Sequence, residues 1–132
     1  MKSTKLRFPE VLLLEPDIFK DERGFFYESF NQDKFDKVTG KKISFVQDNY
    51  SKSKKNTLRG LHYQLSPMAQ GKLVSVLQGE IFDVVVDLRK SSKTFGDFVC
   101  QELNALTKKQ LWIPKGFAHG FLVTSDFAEV MY

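Results

Sequence analysis

KLVSVLQGEIFDVVVDLR, residues 72–89, decides the fold class. Its valines, leucines and isoleucine recur at a period near two, the spacing of strands, and Gln78-Gly79-Glu80 interrupts the run with a turn former. The stretch reads as two strands joined in a hairpin. Downstream, DFVCQEL (97–103), KQLWIP (109–114) and HGFLVTS (119–125) show the same β-branched and aromatic usage. Ser91-Ser92-Lys93 opens a loop between them, and Pro114-Lys115-Gly116 breaks the chain before Phe117. Turn signals about every ten residues predict an all-β sandwich or barrel, here one β-barrel-like or jelly-roll domain. One short helix is predicted from Asn31 to about Val38, where Phe30, Phe35 and Val38 fall near helical spacing and Asn31 is a capping residue. The expectation is a single jelly-roll domain over residues 1–132, with one or two short helices.

The chain has 132 residues, 42% apolar and 27% charged, the composition of a globular protein with one real core. No apolar run approaches the ~20 residues that cross a bilayer. The run Val11-Leu12-Leu13-Leu14 near the N-terminus is cut short by Glu15 and Pro16, without a cleavage site after it, so no leader is expected and a cytoplasmic location is. The lone cysteine, Cys100, cannot close an internal disulfide and reads as a strand residue. The net charge of +4 raises the question of an anionic partner. Its lysines cluster at 34–42 and 52–55, read as polar loops without a basic helical face or an aromatic RNA-reading motif. Neither nucleic acid nor membrane is the expected partner. The chain ends on AEVMY (128–132), a strand-like pattern with nothing after it to pair or cover an edge, so the natural protein is expected to continue past Tyr132.

Only two histidines are present, His62 in LRGLHYQL (58–65) and His119 in FAHGF (117–121), each close to a glycine. A cupin-type metal centre wants an HxH pair, a following Glu and a third His; here the pair is His62-Tyr63-Gln64, so no metal is expected. No serine sits in a nucleophile elbow, and no cysteine has an activating neighbour. Gly71-Lys72 fails as a phosphate loop, since Ser66 stands where the first glycine belongs and Leu73 follows the lysine. What remains is acid/base chemistry. His62 exchanges a proton near neutral pH, Lys72 can stabilise an oxyanion, and Tyr132 can donate a phenolic proton. Taken singly, each also fits a structural role: a satisfied core histidine, a solvated edge lysine, a packing tyrosine.

Read together, FKDERGFFYESF (19–30), FVQDNYSKSKKNTLRGLHYQ (45–64), QGKLVSVLQGEIFDVVVDLRKSSKTFG (70–96) and LWIPKGFAHGFLV (111–123) resemble the dTDP-4-dehydrorhamnose 3,5-epimerase family. The likeness runs from about residue 8 to 132. It implies a cupin-like jelly roll, a homodimer, no metal or redox cofactor, and epimerisation at C3 and C5 of dTDP-4-dehydro-6-deoxy-D-glucose. By the family pattern His62 is the base, Tyr132 the acid on the opposite face, and Lys72 the cation beside the C4 oxygen. Arg23 matches a diphosphate contact, Glu28 a nucleotide contact, and Phe26 offers a stacking face for thymine. That segment reaches the ligand of a neighbouring subunit in the family. Gln47, Asp48, Asn49 and Arg59 match ligand-contacting positions, and His119 a sugar or phosphate contact.

The family's later acidic partner for the base histidine lies beyond the end of this sequence. Asp83 and Asp87, on one face of IFDVVVDLR, are local candidates to orient His62 in its place. Alternatives to the double epimerase are a 3- or 5-epimerase, a ketoisomerase, or a non-catalytic jelly roll that binds a nucleotide sugar.

Overall fold

A computed structural model describes all 132 residues. Its chain forms twelve strands and one helix: β1 (Lys2–Lys5), β2 (Leu12–Glu15), β3 (Ile18–Asp21), β4 (Gly24–Tyr27), α1 (Gln32–Thr39), β5 (Tyr50–Lys54), β6 (Leu58–His62), β7 (Lys72–Gln78), β8 (Glu80–Asp87), β9 (Phe98–Asn104), β10 (Gln110–Ile113), β11 (Phe117–Val123) and β12 (Phe127–Met131). A six-stranded sheet has the order β1-β2-β10-β7-β12-β5, and a four-stranded sheet the order β6-β11-β8-β9. All pairings are antiparallel, and β3 and β4 form a separate hairpin. The two sheets make the cupin-like jelly roll expected from the sequence.

The alternation of β8 shows how sequence becomes a layer. Ile81, Asp83, Val85 and Asp87 are buried, while Phe82 is exposed and Val84 and Val86 are half-buried. Ile81 and Val85 join Val74, Val76, Leu111, Phe121 and Val130 in the main core. The second cluster lies elsewhere, where Leu12, Leu14 and Trp112 meet Phe35 of α1. A strand with both faces covered reads as a continuous apolar run, which explains Leu12-Leu13-Leu14: Leu13 belongs to the main core and its neighbours to the helix-covered cluster. The helix begins as predicted. Asn31 accepts a hydrogen bond from Lys34 N, and Gly40 closes the other end at φ 67.

Two expectations need correcting. Gln78-Gly79-Glu80 does not close a hairpin, because β7 belongs to the six-stranded sheet and β8 to the four-stranded one. Gly79 is the corner where the chain changes sheets. Its φ is +76, and a Cβ there would lie 2.0 Å from Phe127 O, so the backbones meet too closely for a side chain. The lysine-rich segments are loops only in part, at Lys41, Lys42 and Lys55. Lys34 and Lys37 lie in α1, while Lys52 and Lys54 lie on β5. There Ser53 is buried and Ser51 half-buried, with exposed lysines between and beyond them. β5 is an edge strand, and outward lysines keep such an edge from pairing with another chain. Cys100 is a free thiol on β9, as expected. No helix is long and apolar enough to cross a membrane.

Candidate active site

His62 and His119 are directly opposed partners on neighbouring strands, β6 and β11. Glycines set up this pairing. A Cβ on Gly60 would lie 2.6 Å from Gly120 Cα, and one on Gly120 would lie 2.8 Å from Arg59 O, so only glycine allows the two backbones to come this close. The register between the strands shifts between His119 and Phe121, just past the histidine pair.

Lys72 opens β7 in the facing sheet, and Tyr132 follows β12, the strand beside β7. The four side chains wall one cleft of about 190 Å³, together with Gln47 and Asn49. The Lys72 ammonium lies 5.7 Å from the centre of the Tyr132 ring, and the His119 and Tyr132 rings are 6.4 Å apart. His62 is exposed, with no side-chain hydrogen bond from the rest of the chain. Tyr132 is tied down through its backbone. Asn49 N donates to Tyr132 O at 2.8 Å, and Tyr132 N donates to Asn49 O at 3.0 Å. The Asn49 carboxamide adds a third bond to Tyr132 O at 3.2 Å. Gln47 Nε2 in turn donates to Asn49 Oδ1 at 2.8 Å.

A second chamber of about 290 Å³ shares Lys72, Tyr132, Gln47 and Asn49 with the cleft and extends past Asp48 to Ser75 and Gln110. Gln110 Nε2 donates to Ser75 Oγ at 2.8 Å and to Ser29 O at 2.9 Å, while its Oε1 is buried without a partner. The largest groove, about 710 Å³, lies between α1, Trp112 and Pro114, and none of His62, Lys72, His119 or Tyr132 reaches it. Chemistry, not size, therefore selects the smaller cleft.

Half-burial lowers the Lys72 pKa, and the charge of nearby Asp83 pulls the other way. Asp83 is completely buried, and its Oδ2 lies 2.8 Å from His119 Nε2. Burial raises its pKa, against the opposing pull of His119 and Lys72. Neither local candidate to orient His62, Asp83 or Asp87, meets it. Asp83 is bonded to the other histidine, and Asp87 is held at the far end of β8 by Arg89, at 2.9 Å to both of its oxygens, and by Thr94. Sequence reasoning missed the role of Asp83 although a signal was there: an aspartate in register with Ile81 and Val85 is buried and needs a cationic or N–H partner.

The remaining predicted residues divide by place. Gln47, Asp48 and Asn49 line the cleft or its chamber, whereas Arg59 turns away, its Nε donating to Ser53 Oγ at 2.8 Å. Arg23 and Phe26 belong to the exposed β3–β4 hairpin, and Arg23 pairs with Asp21 at 2.5 Å. Glu28 accepts from Asn31 at 2.9 Å and pairs with Lys34 at 2.5 Å. None of these three reaches the cleft of its own chain.

A jelly roll whose cleft gathers a histidine, a lysine and a tyrosine belongs to the class of folds equipped for acid/base proton transfer. Comparison with known proteins gives the family. A family model described as dTDP-4-dehydrorhamnose 3,5-epimerase matches residues 5–132. The chain is 61% identical to the dTDP-4-dehydrorhamnose 3,5-epimerase of Shigella flexneri over 132 residues, all of this chain and 73% of that one. The crystal structure of the Legionella pneumophila enzyme in complex with dTDP-4-keto-L-rhamnose superposes with a TM-score of 0.95 at 52% identity, covering 98% of this chain and 69% of the other. That of the Bacillus anthracis enzyme, with TDP and PPi bound, gives 0.94 at 48% identity, covering 98% and 74%. This chain belongs to the dTDP-4-dehydrorhamnose 3,5-epimerase family.

Proposed function

We propose that the chain epimerises dTDP-4-dehydro-6-deoxy-D-glucose at C3 and C5 to dTDP-4-dehydro-L-rhamnose, with His62 as base, Tyr132 as acid and Lys72 as the cation at the C4 oxygen. The observation that carries this reading is the meeting of His62, Lys72 and Tyr132 in one cleft from three different strands or their ends. A C4 ketone acidifies the hydrogens on C3 and C5. His62 removes one of these protons, and the electron pair moves onto the C4 oxygen. Lys72 stabilises that oxyanion more than the ketone it came from, and this difference lowers the barrier. Tyr132 returns a proton to the opposite face of the carbon. Each positioned proton-transfer group contributes roughly 10²–10⁴-fold.

The enzyme works as a cytoplasmic homodimer in this reading, each protomer one jelly-roll domain. The β3–β4 hairpin supports it, with Arg23 and Phe26 exposed and away from their own cleft. Arg23 would reach the diphosphate in the partner's cleft and Phe26 the thymine, with Glu28 beside the nucleotide; a guanidinium fork suits phosphate and an aromatic plane suits a base. Gln47, Asp48, Asn49 and His119 complete the ligand contacts.

Incubation with the substrate in deuterated water tests the proposal. Label at both C3 and C5 is expected. Label at one carbon identifies a 3- or 5-epimerase instead, and binding without label identifies a non-catalytic nucleotide-sugar module.

A further inference from the structure

Asp83 has no place in the proton transfers just described, yet its carboxylate is fully buried and only one of its oxygens has a partner. Oδ2 meets His119 Nε2 at 2.8 Å, while Oδ1 is buried without any hydrogen bond. A buried carboxylate is costly unless cations or N–H groups face it. Two such groups do, His119 by contact and Lys72 by charge, and both line the cleft. β8 thus places a buried carboxyl group in contact with one of the cleft's nitrogen-bearing side chains, His119, and within reach of the charge of a second, Lys72.

We propose that Asp83 is the positioning residue of the cleft: it fixes His119 with the proton on Nε2 and Nδ1 free to meet the ligand, and it holds Lys72 as an ammonium. The inference rests on the epimerase reading only for what the two groups then do. Where the imidazole carries one proton, a carboxylate on Nε2 places the proton there and leaves Nδ1 as an acceptor; protonated, the same ring presents a donor without turning. Half-burial works against a charged Lys72, and the Asp83 charge opposes that loss in part. Besides Asp83, the ionisable groups that share the cleft or its chamber with Lys72 are His62, Tyr63, Asp48, His119 and Tyr132. Asp83 is the carboxylate on the interior side, and Asp48 lies in the adjoining chamber.

The test begins without substrate, so its outcome is independent of the epimerase reading. Nitrogen NMR of the wild-type histidines should find the neutral His119 ring protonated at Nε2, and the Asp83 carboxyl carbon should report an ionised group at neutral pH. A neutral ring protonated at Nδ1, or a protonated Asp83, overturns the proposal even if no variant folds. In Asp83→Asn, the titration of Lys72 followed at its ε-carbon should move down, because a nearby opposite charge has been lost. An unmoved Lys72 in a folded variant overturns the charge-holding role. With substrate, Asp83→Asn should lower kcat by about tenfold or more, the scale of removing a partner that orients an active-site imidazole, and its alkaline pH limb should shift down with Lys72. A purely structural role would instead lower thermal stability and leave that limb in place. If the NMR results hold but the wild type exchanges no substrate proton, the epimerase reading fails and the positioning role stands.

Discussion

Gly60 and Gly120 press together between β6 and β11, close enough that a Cβ on Gly60 would lie 2.6 Å from Gly120 Cα. Gly60 also has φ +121, a region that side chains rarely adopt. Gly60→Ala should therefore destabilise the fold by at least about 2 kcal/mol and push His62 away from His119, with a loss of turnover greater than the loss of ligand binding. Thermal unfolding and deuterium exchange measured side by side check this; an alanine variant with unchanged stability and exchange contradicts it.

His62→Asn should abolish deuterium incorporation at C3 and C5, since asparagine cannot act as the base. Tyr132→Phe keeps the ring over Lys72 but lacks the phenolic proton, so it should retain some exchange and lose inversion. NMR of the recovered sugar separates the two outcomes. Near-wild-type turnover in both variants would remove both assignments.

Asp87 is fully buried, and the Arg89 guanidinium together with Thr94 and Ser92 holds its pKa well below the usual carboxylate range. A depressed folded pKa stabilises the protein above the unfolded value, near pH 4, and that contribution is lost as pH falls through the folded value. Arg89→Met strands a buried carboxylate and should cost on the order of 3 kcal/mol at neutral pH. The difference from wild type should shrink as the pH drops below about 4, as the stranded carboxyl takes up a proton. Denaturant titrations at neutral and acid pH measure it; a constant difference rules out this cause.

If the β3–β4 hairpin serves the neighbouring cleft, Arg23→Ala and His62→Asn homodimers should both be impaired. Mixing the two variants should create hybrid dimers with one intact site, recovering up to about half of wild-type activity per hybrid. Activity assays after denaturation and joint refolding read this directly. No recovery, with hybrid dimers shown to be present, places Arg23 in its own subunit's site.

Phe35 is fully buried against Trp112, Phe45 and Phe30, with ring centres 5.1, 5.4 and 5.6 Å away. Phe35→Ala should cost about 3–5 kcal/mol and loosen the aromatic wall that Phe30 and Phe45 give the second chamber. Chemical unfolding gives the magnitude; a cost below about 1 kcal/mol would mean that the cluster closes over the gap.

Strand periodicity in residues 72–125 and the Asn31 cap were legible in the sequence because they depend on neighbours a few positions apart. The corner at Gly79 was not. A tight turn between two apolar runs looks the same whether the strands pair with each other or separate into two sheets, and Phe127 and Ser125, 46 or more residues away, decide which. Periodicity also put Asp83 on the inner face but could not say which histidine it would meet, since His62 and His119 are themselves cross-strand partners. The Arg23, Phe26 and Glu28 readings came from motif resemblance alone. They concern residues that do not line the cleft of their own chain.

The reciprocal backbone bonds between Asn49 and Tyr132 join the segment proposed to grip the nucleotide to the phenol proposed to deliver the proton. Grip and delivery then act as one lever. On that reading, a ligand that pulls on residues 47–49 also pulls on the backbone that carries the phenol. Removing the nucleotide from the substrate should therefore cost more in turnover than in occupancy, because the force that aims the acid would have been taken away.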